Sequence, residues 1–220
     1  MTKLTIIITN YNKEKHISYN IELLKQKLQR NKQYEDEVEI QIYDDGSTDG
    51  SVEIIDNVLK DYEGNSIEVF YSPYNRGIGA VRQQALNNVN GDYFVFIDSD
   101  DLITEDYLDK ILGYIEEDSN ADIHHFGVRI YPDGGTCCMG FSLWDKVLKK
   151  SFIRENAIHF DEKLRGHEDE AFMDQVWALE PNMHEHLEDI LYIYNTFTYN
   201  TITHQEPMWY GHNEVRCDFE

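Results

Sequence analysis

The sequence predicts an α/β fold, a mostly parallel central sheet flanked by helices, and three observations carry the prediction. Short apolar runs alternate with amphipathic stretches up to about residue 100, each apolar run stops at a polar cluster, and no linker, repeat or low-complexity tract breaks the order. With 220 residues, of which 41% are hydrophobic and 13% aromatic, the chain is enough for one ordinary domain around a single core.

Leu4 to Thr9 is an isoleucine-rich run ending at Asn10-Tyr11-Asn12, which reads as a buried strand followed by a loop. Ile17, Ile21, Leu24 and Leu28 then recur on one helical face through about Arg30. Val38, Ile40 and Ile42 alternate with Glu39 and Gln41 as a second strand, closed by Asp44-Asp45-Gly46-Ser47, and Val52, Ile55, Leu59 and Tyr62 restore the helical period. A third strand (67–71), a helix near 79–89 and a fourth strand, Tyr93 to Ile97, complete a βαβαβαβ order. Such an order predicts parallel strands joined by crossover helices. The fourth strand is apolar on both faces, as a central strand is, and stops at Asp98-Ser99-Asp100-Asp101. A helix through Leu108, Ile111, Leu112 and Ile115, a strand from Ile123 to Ile130 and a Gly-rich turn at 133–140 follow, less regularly.

Composition excludes some classes of function. Against 19 basic residues stand 42 acidic ones, a net charge of -23, so nucleic acid is an unlikely partner, while divalent cations are favoured. The one tight basic group, Lys146, Lys149 and Lys150, reads as a solvated helix face. No run approaches a signal-peptide core or the ~18 apolar residues of a membrane span. A cytoplasmic protein is expected, with a peripheral place at the inner membrane face left open. Cys137, Cys138 and Cys217 lack Cys-x-x-Cys spacing and read as reduced thiols.

Ligands of parallel sheets bind beyond the strands' carboxyl ends, where three polar clusters fall: 9–12, 44–47 and 98–101. Asp98, Asp100 and Asp101 crowd carboxylates at one sheet edge, which is costly unless a cation neutralises them. Oxygen-only ligands suit Mg2+, Mn2+ or Ca2+, the first two completing their shells with water and substrate phosphate. The alternative is an Asp-rich turn capping a helix near Thr104. Residues 45–56 approximate an EF-hand loop, but a strand rather than a helix enters it, and its last position is Asp56, not Glu. Asn75-Arg76-Gly77 precedes a helix, so its amides and Arg76 are placed to meet an anion, or it is a plain turn, and Arg82 one turn on is placed as well to pair with an acid. Glu168-Asp169-Glu170, after Gly166-His167, reads either as a general base or as helix-start acids.

Together these clusters resemble the family-2 glycosyltransferases of the GT-A fold, through Thr9-Asn10-Tyr11-Asn12, Asp44-Asp45-Gly46-Ser47-Thr48-Asp49, Asn75-Arg76-Gly77, Asp98-Ser99-Asp100-Asp101 and Glu168-Asp169, in that order. Trp144-Asp145-Lys146 and Ile158-His159-Phe160 add to the likeness, which covers about residues 3–175. The resemblance implies one GT-A domain over 1–220, with a nucleotide-binding half to about residue 100 and an acceptor-side half after it. It implies an inverting, metal-dependent transfer of a sugar from a nucleoside diphosphate, a UDP-sugar being favoured, to a hydroxyl of a saccharide or glycoconjugate. Thr9, Tyr11, Asn12, Asp44 and Asp45 would line the nucleoside pocket and Arg76 and Arg82 would lie towards the diphosphate. Asp98 would face the ribose with Ser99 beside it, Asp100 with Asp98 would hold Mn2+ or Mg2+, and Asp169, helped by Glu168, would be the base.

His167 stands within the family's usual Gly-Glu-Asp, which leaves open which carboxylate is the base. His184, His186, His204 and His212 populate the tail, and His204 or His212 is the candidate for an added metal ligand. The Tyr- and Thr-rich run 192–203 reads as an acceptor groove or an edge strand. A non-catalytic nucleotide-sugar or divalent-cation binding module of the same fold is the alternative function.

Overall fold

The computed structural model describes residues 2–137 and 140–196. In chain order the elements are β1 (Leu4–Asn10), α1 (Ser18–Arg30), α2 (Lys32–Glu37), β2 (Val38–Asp44), α3 (Ser51–Leu59), β3 (Ile67–Tyr71), α4 (Ile78–Asn88), β4 (Tyr93–Asp98), β5 (Leu102–Ile103), α5 (Tyr107–Glu117), β6 (Ile123–Tyr131), β7 (Thr136–Cys137), β8 (Lys146–Lys149), α6 (Lys150–Glu155), α7 (Glu168–Trp177) and β9 (Met183–Asn195). The predicted alternation is present through β4. The additional α2 has no buried residue, so no apolar period announces it, and its start is capped by Asn31 Oδ1 accepting from the Gln33 amide.

Among the described residues nine strands form one sheet in the order β3-β2-β1-β4-β8-β6-β9-β5, with β7 paired to β6. The strands β1 to β4 run parallel, β8 is antiparallel to β4 and β6, and β6 and β9 are parallel. From β1 the chain turns to one side for β2 and β3 and to the other for β4. That reversal opens a crevice at the carboxyl ends of β1 and β4, the position where sheets of this kind take ligands.

Strand periodicity sorts the core into two layers. Leu4, Ile6, Ile8, Val38, Ile40, Ile42, Val95 and Ile97 face Ile21, Leu24, Leu28 and Ile55 of α1 and α3 and Leu108, Ile111 and Leu112 of α5. Ile7, Tyr43, Phe94 and Phe96 face Val81, Ala85 and Leu86 of α4, Ile153 of α6 and Phe172, Met173 and Val176 of α7. Each Val, Leu, Ile, Phe or Met side chain buried in this way contributes roughly 1.5–3 kcal/mol.

Two expectations are corrected here. Lys146 is not on a solvated helix face: it lies fully buried in β8, its Nζ 2.6 Å from Asp145 Oδ1 and 3.0 Å from the Ser142 carbonyl. Burial opposes ionisation of Asp145, but Lys146 and His125 outweigh it and hold the carboxyl below its ordinary value. Charge spacing alone carries no sign of such burial. Tyr192 and Ile193 of β9 lie between β6 and β5 and are not at an edge, whereas Tyr194 and Asn195 pair with β6 alone. Residues 197–203 of that run, His204, His212, Cys138 and Cys217 lie outside the described residues. Among the described residues no helix is long and apolar enough to cross a membrane.

Candidate active site

Parallel pairing puts Thr9 at the end of β1 directly beside Asp98 at the end of β4, and Thr9 Oγ1 donates to Asp98 Oδ1 at 3.2 Å. The same oxygen accepts from Arg82 Nη2 at 2.8 Å. Arg82 projects from α4, is buried over the Phe96 ring, and its other arm, Nη1, is bonded to Glu168 Oε1 on α7. Burial disfavours the guanidinium charge, but Asp98, Glu168 and Asp169 override it and hold Arg82 above its ordinary value. Burial also raises Glu168, which Arg82 only partly offsets. The two late acids are thereby told apart: Glu168 is buried against Arg82, while Asp169 is half-buried at the first turn of α7, its Oδ1 accepting from the Glu170 amide.

The four residues after Ile97 divide in the same way. Ser99 is buried and extends the ladder, its amide donating to the Thr9 carbonyl at 3.2 Å. Asp100 Oδ2 lies 2.7 Å from Lys13 Nζ, brought in by the loop after β1. Asp101 turns inward, accepting from Tyr192 OH at 2.8 Å and from the Asn195 amide at 2.7 Å, and burial pushes its carboxyl well up. Tyr192 OH also accepts from the Asp98 amide at 3.2 Å, so the end of β9 holds the whole turn. The turn does not cap a helix at Thr104: α5 begins at Tyr107 behind Asp106. Asp98 and Asp100 supply oxygen donors only, a set that suits Mg2+ or Mn2+, and the Lys13 ammonium shows Asp100 already taking a cation.

The Asp44–Ser47 segment is occupied with its own loops. Asp44 is buried and accepts from Asn10 Nδ2 at 2.7 Å and from the Ser47 amide at 2.9 Å. Asp45 accepts from the Arg76 and Gly77 amides, both at 2.8 Å. The anion expected at the start of α4 is therefore Asp45 itself, and these amides are not available to a ligand. At Gly46, φ +69, an added Cβ would lie 2.5 Å from the Tyr74 backbone carbonyl carbon, so only glycine fits the crossing. Asn12 Oδ1 accepts from the Thr48 amide at 2.7 Å and locks the first loop to the second. Asp56 accepts from Tyr71 OH, and β2 leads into the loop, so no EF-hand is formed.

Asp44 and Arg76 line a cavity of about 280 Å³ with Tyr43, Phe70, Tyr71 and Tyr74. Arg76 Nη2 donates to Gln84 Oε1 there, and Tyr11 stays exposed at the rim of β1. The structure thus brings Thr9, Arg82, Asp98, Glu168 and Asp169 together, with Lys13 and Asp100 alongside. Sequence reasoning missed Lys13, though it follows the Thr9–Asn12 motif directly, and Asn195, for which a strand-end asparagine offers no signal.

Residues 5–157 match the profile of Glycosyl transferase family 2, and the chain belongs to that family. The teichoic acid poly(glycerol phosphate) polymerase of Staphylococcus epidermidis is 32% identical over 194 residues, 79% of this chain and 26% of that protein. The crystal structure of S. aureus TarS 1-349 in complex with UDP-GlcNAc has a TM-score of 0.76 at 23% identity, covering 90% of this chain and 60% of that one. The mannosyltransferase PcManGT from Pyrobaculum calidifontis, in complex with GDP-Man and Mn2+, has a TM-score of 0.63 at 17% identity, covering 87% and 56%. At those identities the likeness is one of fold, the GT-A fold. The chain spans less than half the length of the first curated relatives it matches, 43% of one and 26% of another.

Proposed function

We propose that this chain is an inverting glycosyltransferase that moves a sugar from a nucleoside diphosphate, a UDP-sugar being favoured, to a hydroxyl of a saccharide or glycoconjugate. The observation that carries the reading is the Asp98–Arg82–Glu168 line, which joins the carboxyl end of β4 to the first turn of α7 and sets Asp169 at the same crevice. A donor-side acid cluster and a general-base candidate at one mouth are what a single displacement needs.

In this reading the nucleoside lies over the ends of β1 and β2, between Tyr11 and the cavity bounded by Asp44 and Arg76. Support for uridine comes from the fold neighbour held with UDP-GlcNAc. Asp100 with Asp98 would hold Mn2+ or Mg2+, which supplies Lewis-acid stabilisation of the departing diphosphate. Asp169 takes the proton of the acceptor hydroxyl, whose oxygen bonds to the anomeric carbon as the bond to the diphosphate breaks and carries its electron pair away. Attack opposite the leaving group inverts that carbon. Arg82 and Glu168 touch neither proton nor sugar in this scheme and position Asp98 and the start of α7.

A thermal-shift series with UDP, GDP, dTDP and CMP, each with and without Mn2+, followed by radiolabelled donor turnover, tests the reading. A diphosphate-specific, Mn2+-dependent shift and release of nucleotide support it. No shift and no turnover with any nucleotide sugar would sink it.

A further inference from the structure

Away from this crevice, at the opposite end of β9, three histidines converge. His184 and His186 alternate on one face of β9, and His124 of β6 is the direct cross-strand partner of His184. One ring nitrogen from each lies within 4.8 Å of those of the other two. His124 Nδ1 and His186 Nε2 are 3.3 Å apart, the spacing of about 3.3 Å that two imidazoles have when each sits about 2.05 Å from one tetrahedral zinc.

The surroundings hold the rings in that attitude. His186 is stacked on Tyr114 of α5 with centroids 3.6 Å apart, and Tyr114 OH is anchored on Asp189 Oδ2 at 2.5 Å. Asp118 Oδ2 stands 3.8 Å from His184 Nδ1, beyond hydrogen-bond reach but close enough for its charge to favour a cation beside the trio. His124 and His186 are buried, while the His184 side chain is 37% exposed and opens a route from solvent. Three imidazole nitrogens are unlike the hard oxygen set of Asp98 and Asp100 and select a different ion. The two places are separated by roughly 23 Å at strand rise, the seven steps of β6 from His124, paired with His184, to Tyr131, paired with Asn195, and Asn195 contacts Asp100 and Asp101.

We propose that His124, His184 and His186 form a binding site for a first-row transition-metal ion of the zinc class, distinct from the glycosyl-transfer crevice. Three protein nitrogens leave a fourth position for water or a further ligand. An ion there cross-links β6 to β9 and stabilises the half of the sheet that carries Tyr192.

The test uses the full chain after chelator treatment, titrated with ZnCl2 by calorimetry and with CoCl2 by visible absorption. The wild type is expected to bind Zn2+ at this site and to show the ligand-field bands of nitrogen-coordinated Co2+. His184→Ala, a change at the surface, weakens Zn2+ binding by at least about tenfold and removes the bands, whereas Asp100→Asn keeps both. His184→Gln repeats the test with side-chain bulk retained should alanine disturb folding. Absence of Zn2+ binding by the wild type overturns the proposal, leaving the 3.3 Å contact as a hydrogen bond between neutral rings. Unchanged binding and bands in both His184 variants overturn it too, placing the ion at other residues.

Discussion

Arg82 and Glu168, 86 residues apart in the chain, form a buried ion pair whose guanidinium also clasps Asp98. Deleting the cation leaves two carboxylates facing each other in a poorly solvated place, so Arg82→Ala is expected to lose about 3–5 kcal/mol of stability in urea unfolding. The double variant Arg82→Ala, Glu168→Gln recovers more than about 1 kcal/mol of that loss. Strict additivity of the two substitutions would contradict the pairing.

Asp169 and Glu168 separate by function in kinetics. Asp169→Asn lowers kcat by about 10²–10⁴ while the donor dissociation constant stays within about twofold. Glu168→Gln costs stability and raises donor KM through Arg82 and Asp98. Turnover that survives in Asp169→Asn and vanishes in Glu168→Gln would move the base to Glu168.

Tyr192→Phe removes a hydroxyl that donates to buried Asp101 and accepts from the Asp98 amide. The loss is expected to cost about 1–3 kcal/mol and to raise donor KM more than it lowers kcat, because the acidic turn loosens while Asp169 stays in place. Denaturation and initial-rate measurements on the same preparation check both parts.

Burial, helped by the neighbouring rings of His186 and His184, pushes His124 down to about 4 from its ordinary 6.5. A depressed folded value means that the group's contribution to stability is complete above about 6.5 and is lost as the pH falls through about 4. His186 is lowered too and acts in the same sense. Over that window His124 accounts for a loss on the order of 3 kcal/mol. Urea midpoints in chelator at pH 7 and 4.5 measure it, and an equal slope in His124→Gln would refute the assignment.

Lys13 sits on the carboxylate that the proposed metal needs. Lys13→Met removes the competing cation, so the Mn2+ concentration giving half-maximal thermal shift with UDP falls several-fold, the expected direction for losing one half-buried ion pair. An unchanged Mn2+ requirement would place the metal away from Asp100.

Much of the fold was legible in sequence because its signals are local. Two-residue alternation in Val38 to Ile42 and the helical spacing of Ile17 to Leu28 depend only on near neighbours, and α2 escaped because it buries no residue fully and sets only Tyr34 against the core. The polar clusters at 9–12, 44–47 and 98–101 could be placed at one sheet edge because parallel strands end on the same side.

Which of those residues face a ligand was a different question. Asp44 and Asp45 were expected at a nucleoside, and their carboxylates are engaged with Asn10, Ser47 and the start of α4. Asp101 has the same composition as Asp98 and Asp100 yet turns inward to Tyr192, a residue 91 positions later. Lys146 looked solvated and is buried on Asp145. By itself, then, the sequence determined the strand and helix order through β4 apart from α2, the family and the edge of the sheet where the polar clusters gather, since period and motif are read residue by residue. Only the tertiary structure decided which charges are spent on one another, because a carboxylate's partner depends on which strands and helices become neighbours, and burial then makes an unpaired charge too costly to leave.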